Sequence, residues 1–241
     1  MSEVNEELAA AVKELVTREL PQWVEEALVL RKGLAEASNQ SVARREMTYE
    51  EFLAWADEDT LAEWIALPGK EEGEVLMMSP ASGRHQDLVR FLTAVLGIYV
   101  ETRGLGMIRP APFQMKLAHG REPDLLFVAT EHLGRLREAF LDGPADVVIE
   151  IISPESVSRD RGEKFYEYEA GGVREYWLID PLRQVAEFYC LGERGHYGVA
   201  LAGREGVYRS EVLAGFWLRV EWLWQEPLPK TLDVLRELGL L

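Results

Sequence analysis

The sequence predicts a mixed α/β (α+β) domain: one central β-sheet flanked by helices, behind an N-terminal helical extension. Three observations carry this. Two short runs, Asp124 to Val128 and Asp146 to Ile152, are almost continuously apolar, as strands covered on both faces are. Segments with helical spacing of apolar residues alternate with them. The chain has 241 residues, 47% of them hydrophobic, enough for one sizeable core.

Residues 1–46 are rich in Ala, Leu and Glu and are interrupted once, at Pro21. Leu8, Val12, Leu15 and Val16 keep helical spacing, as do Trp23, Ala27 and Leu30, so two helices with a kink at the proline are expected. Such an arm serves packing or oligomerisation, and a homo-oligomer is the expected assembly. Ser38 to Ser41 reads as a linker to the main domain, residues 47–225.

Thr48 and Glu51 have the spacing of a capping box and open a short helix through Phe52 and Trp55. Glu74 to Met78 reads as a strand that ends at Ser79-Pro80. Ser82 then caps a long helix from Arg84 to Glu101, with Leu88, Phe91, Leu92, Val95, Leu96 and Tyr99 as its buried stripe. Met107 to Arg109 and Phe113 to Leu117 are strands on a path bent by Pro110 and Pro112. After the two apolar strands, a helix spans Arg159 to Ala170 and stops at Gly171-Gly172. Glu175 to Ile179 pairs with Val185 to Tyr189 across the turn Asp180 to Arg183. A C-terminal segment, 226–241, carries a last helix from Leu232 to Leu238.

No apolar run approaches the ~20 residues of a membrane span. The acidic N-terminus lacks the layout of a secretion signal, and the single cysteine, Cys190, has no internal partner. A cytoplasmic protein without a membrane partner is expected. The net charge of −16 speaks against nucleic acid, because phosphate neutralisation dominates that affinity. Its distribution is uneven, however. Residues 51–74 hold eight acids and one base, whereas 75–121 hold six bases and two acids. That fits ordinary surface variation and a basic rim beside an acidic site equally well. Other chemistries lack their motifs: no glycine-rich phosphate loop, no dinucleotide fingerprint, no HExxH and no GxSxG.

Asp124 and Glu150 stand out because each is a carboxylate in, or opening, an apolar strand. An unpaired charge there costs several kcal/mol, and a hard divalent cation would compensate it. Asp160, Lys164 and Tyr168 are spaced i, i+4, i+8 and share one helical face. They fit a solvated salt bridge, or a cation aimed at the carboxylates. Only six of the 26 basic residues are lysines, so Lys164 is not a default choice. His85 falls on the apolar stripe of the long helix. It fits a core histidine, or with Arg84 a phosphate contact at the helix N-terminus. Glu74 is an outer candidate ligand.

Five stretches then follow one another in register: Met77-Met78-Ser79-Pro80 with His85, Pro123-Asp124 to Val128, Val148 to Pro154, Arg159 to Lys164, and Gly172 to Pro181 (GVREYWLIDP). Over about residues 47–225 they resemble the Uma-two-type restriction endonuclease domains of the PD-(D/E)XK nuclease superfamily. The resemblance implies a restriction-endonuclease-like core and a metal-dependent endonuclease acting on nucleic acid, DNA being expected. It implies Mg²⁺ (or Mn²⁺) on Asp124, Glu150 and the backbone carbonyl of Ile151. The motif lysine expected two positions after Glu150 is replaced by Ile152, and Lys164 is the candidate substitute. The catalytic set is therefore Asp124, Glu150, Lys164 and His85, with Glu74, Asp160, Tyr168 and Arg84 as auxiliaries. The alternatives are a binding module on the same fold without turnover, and a metal-free hydrolase using the two carboxylates as acid and base.

Overall fold

The computed structural model describes residues 46–57, 60–78 and 81–240. Of the helical extension expected over residues 1–46, residues 1–45 lie outside them, as does the strand-ending Ser79-Pro80, and Glu46 belongs to a strand instead. In chain order the elements are β1 (Glu46–Thr48), α1 (Tyr49–Trp55), β2 (Ala62–Ala66), β3 (Glu72–Met77) and α2 (Gly83–Arg103). Strands β4 (Gly106–Pro110), β5 (Gln114–Lys116), β6 (Gly120–Arg121), β7 (Leu125–Ala129), β8 (Phe140–Asp142) and β9 (Val147–Ile151) follow. Then come α3 (Lys164–Gly171), β10 (Glu175–Asp180), β11 (Val185–Leu191), β12 (Tyr197–Gly203), β13 (Val207–Arg209), β14 (Trp217–Arg219) and α4 (Thr231–Glu237).

The central sheet has the order β12-β11-β10-β9-β7-β4. Only β9 and β10 run parallel; the other neighbours are antiparallel. The apolar runs of β7 and β9 are buried at every position, and side chains alternate between two cores. Leu125, Phe127, Val147, Ile149 and Ile151 join one core with Leu88, Leu92 and Leu96 of α2. Leu126, Val128, Val148 and Ile152 join the other, with Tyr168 of α3. Each fully buried side chain of this kind contributes roughly 1.5–3 kcal/mol, so helices on both faces hold the sheet. Glu150 interrupts the second of these faces.

The expected capping box is present: Glu51 N donates to Thr48 Oγ1 at 3.2 Å, and Thr48 N donates to Glu51 Oε2 at 2.9 Å. Ser82 Oγ caps α2 by accepting from His85 N at 3.2 Å, which fixes His85 in the first turn. The hairpin β10–β11 pairs as expected, Glu175 opposite Cys190 through Asp180 opposite Val185. The C-terminal helix α4 sits in the α2-side core through Val234, with Leu238 just beyond it.

Two details differ from the sequence reading. A second six-stranded sheet, β1-β3-β2-β6-β5-β8, accompanies the central one. Two of its strands, β3 and β5, are those expected at Glu74 to Met78 and Phe113 to Leu117, but β1, β6 and β8 have only two or three residues, too few to show a period, and β2 carries Glu63 as its second residue. Trp64 anchors it, with Nε1 donating to Met47 O at 2.9 Å. Gly73 has no side chain because a Cβ there would lie 2.4 Å from the Trp64 ring. The second difference is that the helix expected from Arg159 begins as a π-helical turn, Arg159–Glu163, in which Lys164 N donates to Arg159 O. The α-helical part starts only at Lys164.

Candidate active site

Asp124 immediately precedes β7, and its carboxylate is held from two sides. Oδ2 accepts the backbone N–H of Ile151 at 2.7 Å and lies 3.1 Å from His85 Nε2. Among the described residues both contacts fall on the one oxygen. Burial pulls the His85 imidazole down, but the adjoining Asp124 carboxylate outweighs it, and the net direction is above the ordinary histidine value.

Glu150 belongs to the strand next to β7 and is 4% exposed. Its Oε1 takes two bonds at 2.9 Å, one from Lys164 Nζ and one from Tyr168 Oη. Burial lifts the Glu150 carboxyl to about 8, with Asp160 and Asp124 adding to the rise against the pull of Lys164. Lys164 is 1% exposed and is ion-paired to three carboxylates: Glu150 at 2.9 Å, Glu63 at 3.0 Å and Asp160 at 3.5 Å. Burial works against its charge, but these three carboxylates hold it well above the ordinary lysine value. It is a fixed cation, not a base.

These groups meet in a cleft of about 410 Å³, lined among others by His85, Glu122, Asp124, Glu150, Asp160 and Lys164. The spacing of Asp160, Lys164 and Tyr168 thus converges on Glu150, and the Asp160–Lys164 pair is buried, where a solvated pair was the simpler expectation. The cleft also receives Ile151. Tyr168 is fully buried behind Glu150 and not in the lining, and the two other expected auxiliaries do not reach the cleft. Arg84 donates to the carbonyls of Leu223 and Gln225, at 2.6 and 3.2 Å, and so braces the C-terminal segment. Glu74 pairs in register with Ile65 and Glu46, away from the cleft lining. The basic rim does not assemble either. Arg121 is buried, Lys116 lies over the Tyr49 and Trp64 rings, and among the described residues Lys164 is the only Lys or Arg in the lining.

Two site residues were missed in the sequence. Glu63 is fully buried in β2, between Ala62 and Trp64, which is the same signal that marked Glu150. Glu122, two residues before Asp124, is 8% exposed and accepts from Gln114 Nε2 at 2.9 Å; burial pushes it up to about 7.

The donor chemistry bears on a metal. Among the described residues no group of three or more His, Cys, Asp or Glu side chains is placed to enclose an ion. The cleft is therefore no closed cage. Two neighbouring carboxylates with few competing bonds do fit Mg²⁺, which keeps several waters and takes one or two carboxylates plus substrate oxygens.

The chain matches the Uma2 family, described as "Putative restriction endonuclease", over residues 49–221, well over half its length. It belongs to the Uma2 family. The Uma2 match spans every strand of the central sheet and α3, and stops before α4. Among solved structures it is similar to one titled a "putative nuclease belonging to DUF820" from Anabaena variabilis, at 18% identity and TM-score 0.60. The similarity covers 74% of this chain and 97% of that one, and at this identity it shows the shared fold. No curated protein matches the chain. This Uma2 domain is thus a restriction-endonuclease-like, nuclease-type domain. No helix among its described residues is long and apolar enough to cross a membrane.

Proposed function

We propose that the protein is a metal-dependent endonuclease that hydrolyses phosphodiester bonds of DNA. The observation that carries this reading is the pairing of Asp124 and Glu150 on neighbouring strands at one cleft, with a fixed cation, Lys164, on the second of them. Asp124, Glu150 and the Ile151 carbonyl would hold Mg²⁺ or Mn²⁺. That ion supplies Lewis acidity to a phosphate oxygen and a lowered pKa to a water.

The chain's own groups do the rest. Because Lys164 is locked in its charged form, it does not accept the proton of an attacking water. Its role is to neutralise charge developing on the phosphate and to hold Glu150 in place. His85 holds Asp124 Oδ2 through Nε2 and so orients that carboxylate, while its Nδ1 is buried. Glu122, raised to about 7 by burial and outside the proposed ligand set, is a carboxyl able to exchange a proton near neutral pH. The acidic lining repels a phosphate chain until its carboxylates are neutralised, so nucleic-acid binding is expected to depend on the divalent ion. Cutting both strands of a duplex calls for two clefts, which makes a homodimer the natural cytoplasmic form of the enzyme; sedimentation velocity would test the dimer.

A second reading is a nucleic-acid or protein binding module without turnover. It is favoured by the closed network around Lys164, which balances Glu150 without any metal. Supercoiled plasmid and single-stranded DNA incubated with Mg²⁺, Mn²⁺ or EDTA separate the two. The nuclease reading expects cleavage that needs the ion and is lost in Glu150→Ala. Intact DNA under every condition would overturn it in favour of the binding module.

A further inference from the structure

Lys164 is the first residue of α3, and Glu150 lies on the central sheet, but the third member of their cluster comes from elsewhere. Glu63 is the second residue of β2, in the second sheet, and is fully buried. It divides its two oxygens. Oε1 lies 3.0 Å from Lys164 Nζ and accepts weakly from Glu122 N at 3.4 Å. Oε2 accepts from Arg121 at 3.1 Å. Arg121, 1% exposed, reaches on to Glu167 of α3 with a 2.7 Å bond. Glu63 therefore grips α3 twice: directly at Lys164, and one turn later through Arg121 and Glu167.

Such a buried ionic set is a poor choice for stability alone, since well-packed apolar residues do as well or better. What it supplies is position. A lysine side chain has four rotatable carbons and three donors, and one carboxylate does not fix where its ammonium sits. Without Glu63, Lys164 Nζ would be held by Glu150 and, more loosely at 3.5 Å, by Asp160 one turn back in the chain, and could still swing about Oε1. A second carboxylate from a different sheet, itself pinned by an arginine, removes that freedom.

We infer that Glu63 is the positioning residue of this cleft: it sets the ammonium of Lys164 against Glu150, so that the second sheet completes a site built on the first. The inference rests on Lys164 as the lysine of the proposed nuclease site. Glu63 touches no substrate and acts only through Lys164.

The test uses full-length protein carrying ¹⁵N-labelled lysine, with the ammonium signal of Lys164 assigned by its loss in Lys164→Met. A buried, triply paired ammonium exchanges slowly enough to be seen, and in Glu63→Gln that signal is expected to shift or broaden away. An unchanged signal overturns the inference. In parallel, plasmid cleavage with Mn²⁺ is expected to lose roughly 10–100-fold in kcat in Glu63→Gln, with KM little altered. The same change is expected to add nothing in a Lys164→Met background. A full additional loss there would mean that Glu63 does not act through Lys164, and would overturn the inference too. If Glu63→Gln does not fold, Glu63→Asp carries the same measurement: it keeps the charge but withdraws it by one carbon, so an unmoved ammonium signal again overturns the inference. If the wild type cuts nothing, the nuclease reading fails, while the ammonium signal still decides whether Glu63 positions Lys164.

Discussion

Ile151 donates its backbone N–H to Asp124 Oδ2 at 2.7 Å, so the residue directly after Glu150 holds the carboxylate that precedes β7. The two acids are registered by the sheet itself and not by a loop.

Asp124→Asn should keep that registration, since the amide oxygen can still accept from Ile151. Stability to urea is expected to change by no more than about 1 kcal/mol. The Mn²⁺-binding heat in calorimetry should vanish with the charge. Retained binding would remove Asp124 from the proposed ligand set.

Lys164→Met should behave in the opposite way. It leaves Glu63, Glu150 and Asp160 buried beside one another without their shared cation. Breaking a buried ion pair from one side costs about 3–5 kcal/mol, and the urea midpoint should fall accordingly. A variant as stable as the wild type would show that the network relaxes by taking up protons or water.

The raised Glu150 carboxyl gives a pH signature. It holds its proton in the folded protein where the unfolded chain, at the ordinary value of 4.5, has already lost it. The folded state therefore binds more protons between about pH 4.5 and about 8, and this group's contribution to stability declines as the pH rises through that window. Divalent-ion affinity should climb through the same window, because the ion competes with that proton. Melting curves and Mn²⁺ titrations at pH 5.5, 7 and 8.5, compared with Glu150→Gln, check both trends. Identical profiles in the two proteins would exclude Glu150 as their source.

Most of the central sheet was legible because burial on both faces writes a continuous apolar run, and Glu150 was legible as the break in one. The α3 face was legible from the spacing of Asp160, Lys164 and Tyr168, although the turn before it is π-wound. Of the second sheet, β3 and β5 were legible as strands, but the sheet they build was not, since strands of two or three residues such as β1, β6 and β8 carry no period. Glu63 was hidden with it: in a stretch holding eight acids, one more glutamate reads as a surface residue until its strand is known. Arg84 misled for a related reason. Its place at a helix N-terminus suits an anion, but the carbonyls of Leu223 and Gln225, about 140 residues away in the chain, claim it first.

Glu175 should prove a purely structural counterpart to the cleft acids. Fully buried at the start of β10, it accepts from Trp177 Nε1, Ser210 Oγ and the backbone N–H groups of Glu211 and Val212. Glu175→Ala strands those donors and should cost about 3 kcal/mol or more in thermal unfolding. The protein that remains folded should bind Mn²⁺ as the wild type does. A lost binding heat at full foldedness would tie this loop to the site.

The pairing of Glu63 with Lys164 also constrains how the chain reaches its native state. The two residues are separated by about a hundred positions, a span whose closure is slow and entropically costly. Until β2 docks, Lys164 and Glu150 keep their hydration and the end of α3 has no reason to dehydrate. The last water should therefore leave the Glu63–Lys164 pair late in folding, and a partly folded intermediate would carry its central sheet without a working set of charges. The capacity to cut would then appear only with the completed fold.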